Sequence, residues 1–262
     1  MERKHSLDQL GRTVAFDFPP QRIISLVPSQ TELLVDLGAA DRIAGITRFC
    51  VHPKEWCAGL PKIGGTKKFD FKMIEALKPD LIIGNKEENY QEGIDRLSEK
   101  YPVWMSDITH WESALQMIRD LGGLTGEDRK ANSLIAEIRS AFETLTLFPR
   151  RSVIYFIWKN PWMAAGQNTF VHTLLSKIGL KNCLQAERYP QLSMDEITKL
   201  APEVILLSSE PYPFQPKHVE ELHQALPAAK IIFVDGEMFS WYGSRLRKAP
   251  DYFASISQLM EA

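Results

Sequence analysis

Cys50 and His52 stand two apart in RFCVHP, a spacing from which a metal site or a cysteine nucleophile could be built. No obvious third ligand accompanies them, and a packed loop cysteine beside a His-Pro turn explains the same residues. The motifs of common enzymes are missing. No G-x-G-x-x-G follows a strand and no G-x-x-x-x-G-K-[ST] occurs; GGTKKFD (64–70) has its glycines in other places. Neither a G-x-S-x-G elbow nor an H-E-x-x-H pair is present. The chain therefore reads as a binding protein, with no catalytic residues and no catalytic cofactor.

The residues suited to binding follow short aliphatic runs. Pro28 and Ser29 follow Ile23–Val27, Phe49 lies in Thr47-Arg48-Phe49, and Asn85-Lys86-Glu87-Glu88 follows a second run. Further on stand Trp158 to Trp162, Glu210-Pro211-Tyr212 and Phe239-Ser240-Trp241-Tyr242. Trp158, Trp162 and Trp241 are half of the six tryptophans. Aromatic rings offer stiff contact area to a flat or bulky ligand, though the same rings could close a core. Arg48, Lys67, Lys68, Lys159 and Arg245 fall in the same loops. Together they would suit carboxylate or phosphate groups; singly each reads as a solvated charge.

These loops are positioned by elements that occur twice. IEALKPDLII (74–83) and ITKLAPEVIL (197–206) share Ile, Leu, Pro, an acid and an aliphatic run in register. In each, a short helix should end before Pro79 or Pro202, because the residue before proline disfavours helix. The aliphatic run that follows has the look of a strand buried on both faces. Ile23–Val27 and Val153–Ile157 echo each other upstream, each followed by a helix and a glycine (Gly38, Gly179), and 103–105 and 231–234 echo downstream. Strands alternating with helices imply parallel sheets in two related α/β lobes.

The segment 125–148 carries apolar residues at Ala131, Leu134, Ile135, Ile138, Phe142 and Leu145, one helical face. Thr125 and Asp128 are spaced as a cap, and Pro149 follows. Such a helix spans ~30 Å and would join the lobes as a rigid strut. The expected organisation is an extension (1–21), an amino-terminal lobe (22–124), a backbone helix (125–148) and a carboxyl-terminal lobe (149–262). Ligands of parallel sheets bind outside the carboxyl ends of the strands, so a cleft between the lobes is the expected site.

Composition sets the outer bounds. At 262 residues, 44% hydrophobic and 24% charged, the chain is globular rather than disordered. A net charge of −2 leaves no electrostatic footprint for nucleic acid, and no apolar run approaches the ~20 residues of a membrane span. MERKHSLDQLGRTVAFDFPPQR holds no continuous apolar stretch of the secretory kind, and three cysteines form no complete disulfide framework. Both lean toward a cytoplasmic setting, unless an export signal lies outside this sequence.

RIISLVPSQTELLVDLGAADRIAGIT (22–47), GGTKKFDFKMIEALKPDLII (64–83) and the backbone helix (125–148) together resemble the helical-backbone metal receptors. These are the class III periplasmic substrate-binding proteins of ABC importers, and the first stretch is most like the cobalamin-binding branch. The resemblance implies two Rossmann-like lobes, a shallow cleft with little hinge motion, and a periplasmic or extracytoplasmic monomer. It implies a bound metal chelate, cobalamin or another corrinoid first, a ferric siderophore or haem as the alternative. An intracellular metal-handling protein or enzyme using Cys50 and His52 is the reading from another class. It further implies an ABC permease dimer as partner, docked by one acid per lobe. By position these are Glu92, with Glu88 close by, and Asp195, with Glu196 adjacent. Ser193 and Glu196 also have the spacing of a capping box. On this reading the ligand meets Pro28, Ser29, Phe49, Lys67, Trp158, Trp162, Phe239, Trp241, Tyr242 and Arg245.

Overall fold

In the computed structural model, which describes residues 2–261, the first residues are not an extension. They fold as a hairpin, β1 (Glu2–Leu7) antiparallel to β2 (Thr13–Phe18). TVAFDF alternates, so Val14 and Phe16 turn inward and are buried. Asp8 organises the turn: its carboxylate accepts from the amides of Leu10 and Arg12 and from the Arg12 guanidinium. Gln9 N–H donates to Met105 O and Trp104 Nε1–H to Leu7 O, which fastens the hairpin to residues 103–106.

The chain divides into two compact units. Unit 1 holds Met1–Ile108, Glu112–Arg139 and Tyr242–Arg245; unit 2 holds Thr109–Trp111, Ser140–Trp241 and Leu246–Ala262. Unit 1 continues through β3 (Ile23–Ser25), α1 (Pro28–Asp36), β4 (Ile43–Ile46), α2 (Lys54–Ala58), β5 (Gly64–Gly65) and β6 (Lys68–Phe69). Then come α3 (Phe71–Leu77), β7 (Leu81–Asn85), α4 (Gln91–Ser98), β8 (Val103–Ser106) and α5 (Trp111–Thr125). Its parallel sheet has the order β4-β3-β7-β8.

The next helix, α6 (Asp128–Glu143), is shorter than the expected 125–148. Thr125 does not cap it. Thr125 ends α5 and turns its hydroxyl back to Leu121 O, after which Gly126 takes φ +75° and breaks the chain direction. At the far end Thr144 bonds back to Ser140 O and Ala141 O, six residues before arginine 150, so Pro149 is not the stop. The apolar stripe holds at Ala131, Leu134, Ile135, Ile138 and Phe142, all buried, while Leu145 lies beyond the helix and is only half-buried.

Unit 2 contains β9 (Ser152–Trp158), β10 (Trp162–Ala164), α7 (Phe170–Lys177), β11 (Lys181–Asn182), β12 (Gln191–Leu192) and α8 (Met194–Leu200). β13 (Val204–Ser208), α9 (Pro216–Ala225), β14 (Lys230–Val234), α10 (Gly236–Ser240) and α11 (Ala249–Glu261) complete it. β11, β13 and β14 belong with β9 to a parallel core, β13 lying between β9 and β14 and β11 pairing β9. Antiparallel β10 and β12 extend that sheet, which strict strand–helix alternation did not anticipate.

The repeated decapeptide has one structural meaning in both units. α3 ends at Lys78 (φ 46°) and α8 at Ala201 (φ 43°), left-handed residues immediately before the prolines, each donating its amide three residues back. β7 and β13 follow, buried at every position. The shared acid ties down the start of the neighbouring strand. Asp80 accepts from the amides of Gln21 and Arg22 at 2.6 and 2.8 Å, and Glu203 accepts from Ser152 N–H at 2.7 Å. Gly38 and Gly179, at φ +90° and +95°, turn the chain after α1 and α7.

Candidate ligand-binding site

In unit 1 the carboxyl end of β3 leads into α1, where Pro28 occupies the first turn and needs no amide donor there. Pro28 is half-buried and Ser29 is buried, so Ser29 offers little surface. After β4, Thr47 is buried while Phe49 is 49% exposed, its ring 5.0 Å from the Arg48 guanidinium. Gly65 lies under this pair; a Cβ there would come within 3.1 Å of the Phe49 ring. After β7, Asn85 Oδ1 accepts from the amides of Glu87 and Glu88, and Asn89 Oδ1 from Asn85 N–H. Lys67 braces this loop, donating to Glu87 O at 2.5 Å and Asn89 O at 3.5 Å. It is a strut as well as a surface cation.

Arg245 is a correction to the sequence reading. Its Nε and Nη2 donate to the two oxygens of Glu32 at 2.8 Å each, and both side chains are 9% exposed. The residues Tyr242–Arg245 belong to unit 1, not to the carboxyl-terminal lobe expected over 149–262. Gly243, at φ +115°, packs there against Leu33 and Ser29.

In unit 2 the three tryptophans part company. Trp158 is 40% exposed and rests edge-on against Tyr212, centroids 5.4 Å apart. Trp162 is buried, stacked on Phe214 with its Nε1–H donating to Glu221, and the Lys159 ammonium lies 3.8 Å from its ring centroid. Lys159 is itself bonded to Glu221. Trp241 is buried with its Nε1–H on Glu210 Oε1 at 2.8 Å. Phe239 has no exposed surface: Tyr155 and Phe253 enclose it at 5.1 and 4.9 Å, so it closes the core. Tyr242 is buried too.

Sequence reasoning passed over Phe214, His218 and the part played by Tyr212. Tyr212 contacts Phe214 and His218 at 5.0 and 5.6 Å, which gives Trp158 a continuous aromatic foundation. Burial, then the charges of Lys217 and Lys159, holds the His218 imidazole below its usual range. The run Glu210-Pro211-Tyr212-Pro213-Phe214 after an aliphatic strand was the available signal. Glu210, named from the sequence only as a strand-end residue, is a perturbed acid. Burial raises its carboxyl, Glu237 and Asp235 raise it further, and bonds from Ser240 and Trp241 oppose them.

The docking candidates separate by local chemistry. Glu92 and Asp195 are exposed in the first turns of α4 and α8, while Glu88 is half-buried in the preceding loop. Glu196 forms the capping box with Ser193, as its spacing suggested, and those bonds lower its carboxyl. Cys50 is buried with its thiol 3.1 Å from Thr31 Oγ1 and 3.2 Å from Thr47 Oγ1, and desolvation raises it. Those contacts fit the packed loop cysteine. Among the described residues no group of three or more His, Cys, Asp or Glu could hold a metal ion.

Two surface cavities lie away from the strand ends. One of about 470 Å³ is lined by Phe18, Gly38, Arg42 and Glu127, beside residues that precede β3 and β4. The other, about 450 Å³, is lined by the end of α6 and by α11. Neither includes a predicted site residue. Among the described residues no helix is long and apolar enough to cross a membrane.

Comparison with known proteins agrees with this architecture. The chain is 25% identical over 213 residues to YvrC of Bacillus subtilis (strain 168), an uncharacterized ABC transporter substrate-binding lipoprotein, covering 76% of this chain and 67% of that one. It is 26% identical over 196 residues to the vitamin B12-binding protein of Yersinia pestis (strain Pestoides F), covering 72% and 69%. The periplasmic haem-binding protein RhuT from Roseiflexus sp. RS-1, in apo form, superposes with a TM-score of 0.79 at 20% identity, over 92% of this chain and 97% of that one. That last likeness is one of fold. The model of the periplasmic binding protein family matches residues 23–231, from β3 into β14 and so through both units, and the chain belongs to that family.

Proposed function

We propose that this protein is the substrate-binding component of an ABC importer and that it takes up a metal chelate, a corrinoid in first place, at the carboxyl ends of its parallel strands. The observation that carries the reading is Trp158. An indole 40% exposed at a strand end, braced by Tyr212 and the rings behind it, is a rigid face for a large flat ligand. Phe49, exposed beyond β4, is the aromatic counterpart in unit 1. Family membership and the likeness to a vitamin B12-binding protein support the same class of ligand. Pro28 and Lys67 complete the proposed contact set, with the buried rings of Trp162 and Trp241 behind them. Phe239 and Arg245 act behind it.

Delivery requires a partner, and Glu92 and Asp195 are the proposed contacts with a permease dimer. Charges of this kind mainly steer and orient encounter. The reading places the protein outside the cytoplasm and gives it no catalytic step.

Titration decides the ligand. Dicyanocobinamide and cyanocobalamin should quench tryptophan emission, and Trp158→Ala should weaken binding by ~1–3 kcal/mol. The visible spectrum of protein purified from its own host should show corrinoid bands. Haem or ferric-siderophore bands would instead name the alternative chelates. No heat and no quenching with any of these chelates would overturn the reading.

A further inference from the structure

Tyr212, the ring against which Trp158 rests, is joined to a histidine inside unit 2. His218, in the first turn of α9, is 3% exposed. Its Nδ1 accepts the Gln215 N–H at 2.9 Å, and its Nε2 lies 3.4 Å from the Tyr212 hydroxyl. A ring nitrogen that accepts an N–H carries no proton, so the neutral ring holds its proton on Nε2, where the Tyr212 oxygen accepts it. Gln215 caps α9, and the helix itself supplies no acceptor for its amide. The rings of Phe214, Tyr212 and Trp162 flank the imidazole edge-to-face at 5.6, 5.6 and 6.3 Å.

Resting on the proposed uptake of a chelate at Trp158, we infer that His218 is the positioning residue of that site: as the neutral imidazole it fixes Tyr212 and, through it, the Trp158 ring. Protonation fills Nδ1. Two donors then face each other across 2.9 Å, and a charge stands among apolar ring edges. The imidazolium moves toward water, and the Gln215 amide loses its acceptor. Tyr212 is three residues before Gln215 and bonded to the same ring, so one proton releases both ends of this segment. Trp158 takes its ring contact from Tyr212 and shifts with it.

The surrounding charges set the direction. Lys217 and Glu221 face His218 from α9, Lys159 from the turn after β9 and Tyr212 from the loop after β13. Burial, then the two lysines, disfavour the cation; Glu221 and, least of all, the Gln215 backbone favour it. Glu221 is already engaged by Lys159 and by the Trp162 Nε1–H. The ring therefore titrates below its ordinary value of 6.5. It is neutral above that pH, and the neutral form is lost as pH falls through the lower folded value.

The test titrates cyanocobalamin into the full chain by calorimetry from pH 8 to pH 4.5, and ferrioxamine B, a ferric hydroxamate, if cobalamin gives no heat. Nitrogen-15 spectra of the ligand-free protein follow the imidazole and indole nitrogens over the same series. The Kd should be constant above about pH 6.5 and rise below it in step with His218, by no more than about tenfold per pH unit, the limit for one proton. The indole resonance that Trp158→Phe removes should move with the same midpoint. His218→Asn keeps an acceptor for the Gln215 amide but neither titrates nor reaches Tyr212. It should weaken binding about two- to fivefold at pH 8, the range for one hydrogen bond, and give a Kd flat with pH. His218→Phe keeps a ring but orphans the amide, and should weaken binding further. Thermal melts check that both variants fold; if either does not, the parent's pH series and spectra decide.

A Kd that stays constant while His218 titrates overturns the inference and leaves the chelate reading intact. The parent's pH dependence surviving in folded His218→Asn does the same, as does a ring neutral throughout the series with Kd unchanged in His218→Phe. If neither chelate binds at any pH, the uptake reading falls instead, and an indole resonance that stays still through the His218 titration overturns the positioning role as well.

Discussion

Arg245→Met is the most telling single perturbation, because sequence and structure assign the residue different work. Its guanidinium makes two 2.8 Å bonds to Glu32 across 213 residues of sequence, and each side chain is 9% exposed. Removing one partner of such a pair costs ~3–5 kcal/mol, chiefly because the other charge remains buried alone. For a chain of this size ~1 kcal/mol moves a melting midpoint by ~2–4 °C, so Arg245→Met and Glu32→Leu should each lower Tm by about 10 °C. The double variant Glu32→Leu/Arg245→Met leaves no orphaned charge. It should recover to within ~1 kcal/mol of the parent, a coupling far larger than independent sites show. Far-UV circular dichroism melts and urea midpoints on the four proteins complete the cycle. Additive single effects, or a single variant melting within ~2 °C of the parent, would refute the clasp. Lost ligand affinity at full stability would return Arg245 to the direct contact role its position in the loop suggested.

Lys78→Gly and Ala201→Gly should each stabilise the protein by ~1 kcal/mol in thermal melts, since both positions hold an L-residue near φ +45°. Glu210→Gln should be more stable than the parent at pH 8, because a carboxyl raised by burial costs stability once it ionises; the advantage should vanish below about pH 4.3, where the unfolded carboxyl is protonated too. Glu203 and Glu196 titrate with the opposite sign: bonds from Ser152 and Ser193 lower them, and the stability they contribute is present above the unfolded value and lost as pH falls through the folded one. Glu92→Ala with Asp195→Ala should abolish transport and salt-sensitive permease association while ligand affinity and Tm hold; Glu196→Ala should lower Tm and leave transport in proportion to folded protein.

The fold was legible where one residue type has one structural use. The decapeptide repeat fixed two helix ends and two buried strands, because proline, the residue before it and the acid after it act on their immediate neighbours. The apolar stripe of α6 was legible for the same reason, while its ends were not. Thr125 and Asp128 have the spacing of a cap, and only the turn at Gly126 shows that Thr125 closes the preceding helix. The hairpin over residues 2–18 was missed because its anchors, Met105 and Leu7 with Trp104, are about a hundred residues apart.

The candidate site was legible in place and not in exposure. Phe239, Trp241 and Trp158 all follow strands, yet one is core, one is fixed on a carboxylate and one faces water. Gly236 decides the first two. A Cβ there would meet Ser208 Oγ at 2.4 Å and Glu210 Cγ at 2.6 Å, so only glycine lets α10 start this close to the end of β13. Five residues of helix then turn Phe239 in against Tyr155 and set the Trp241 indole on Glu210. Trp158 has no such tether. It ends β9 before a turn, and its partner Tyr212 comes from another loop. Exposure at a strand end therefore depends on which loop residues from elsewhere in the chain reach the ring first. For Trp158 that residue is Tyr212, which Phe214 and His218 back in turn at 5.0 and 5.6 Å, and the ring stays 40% exposed.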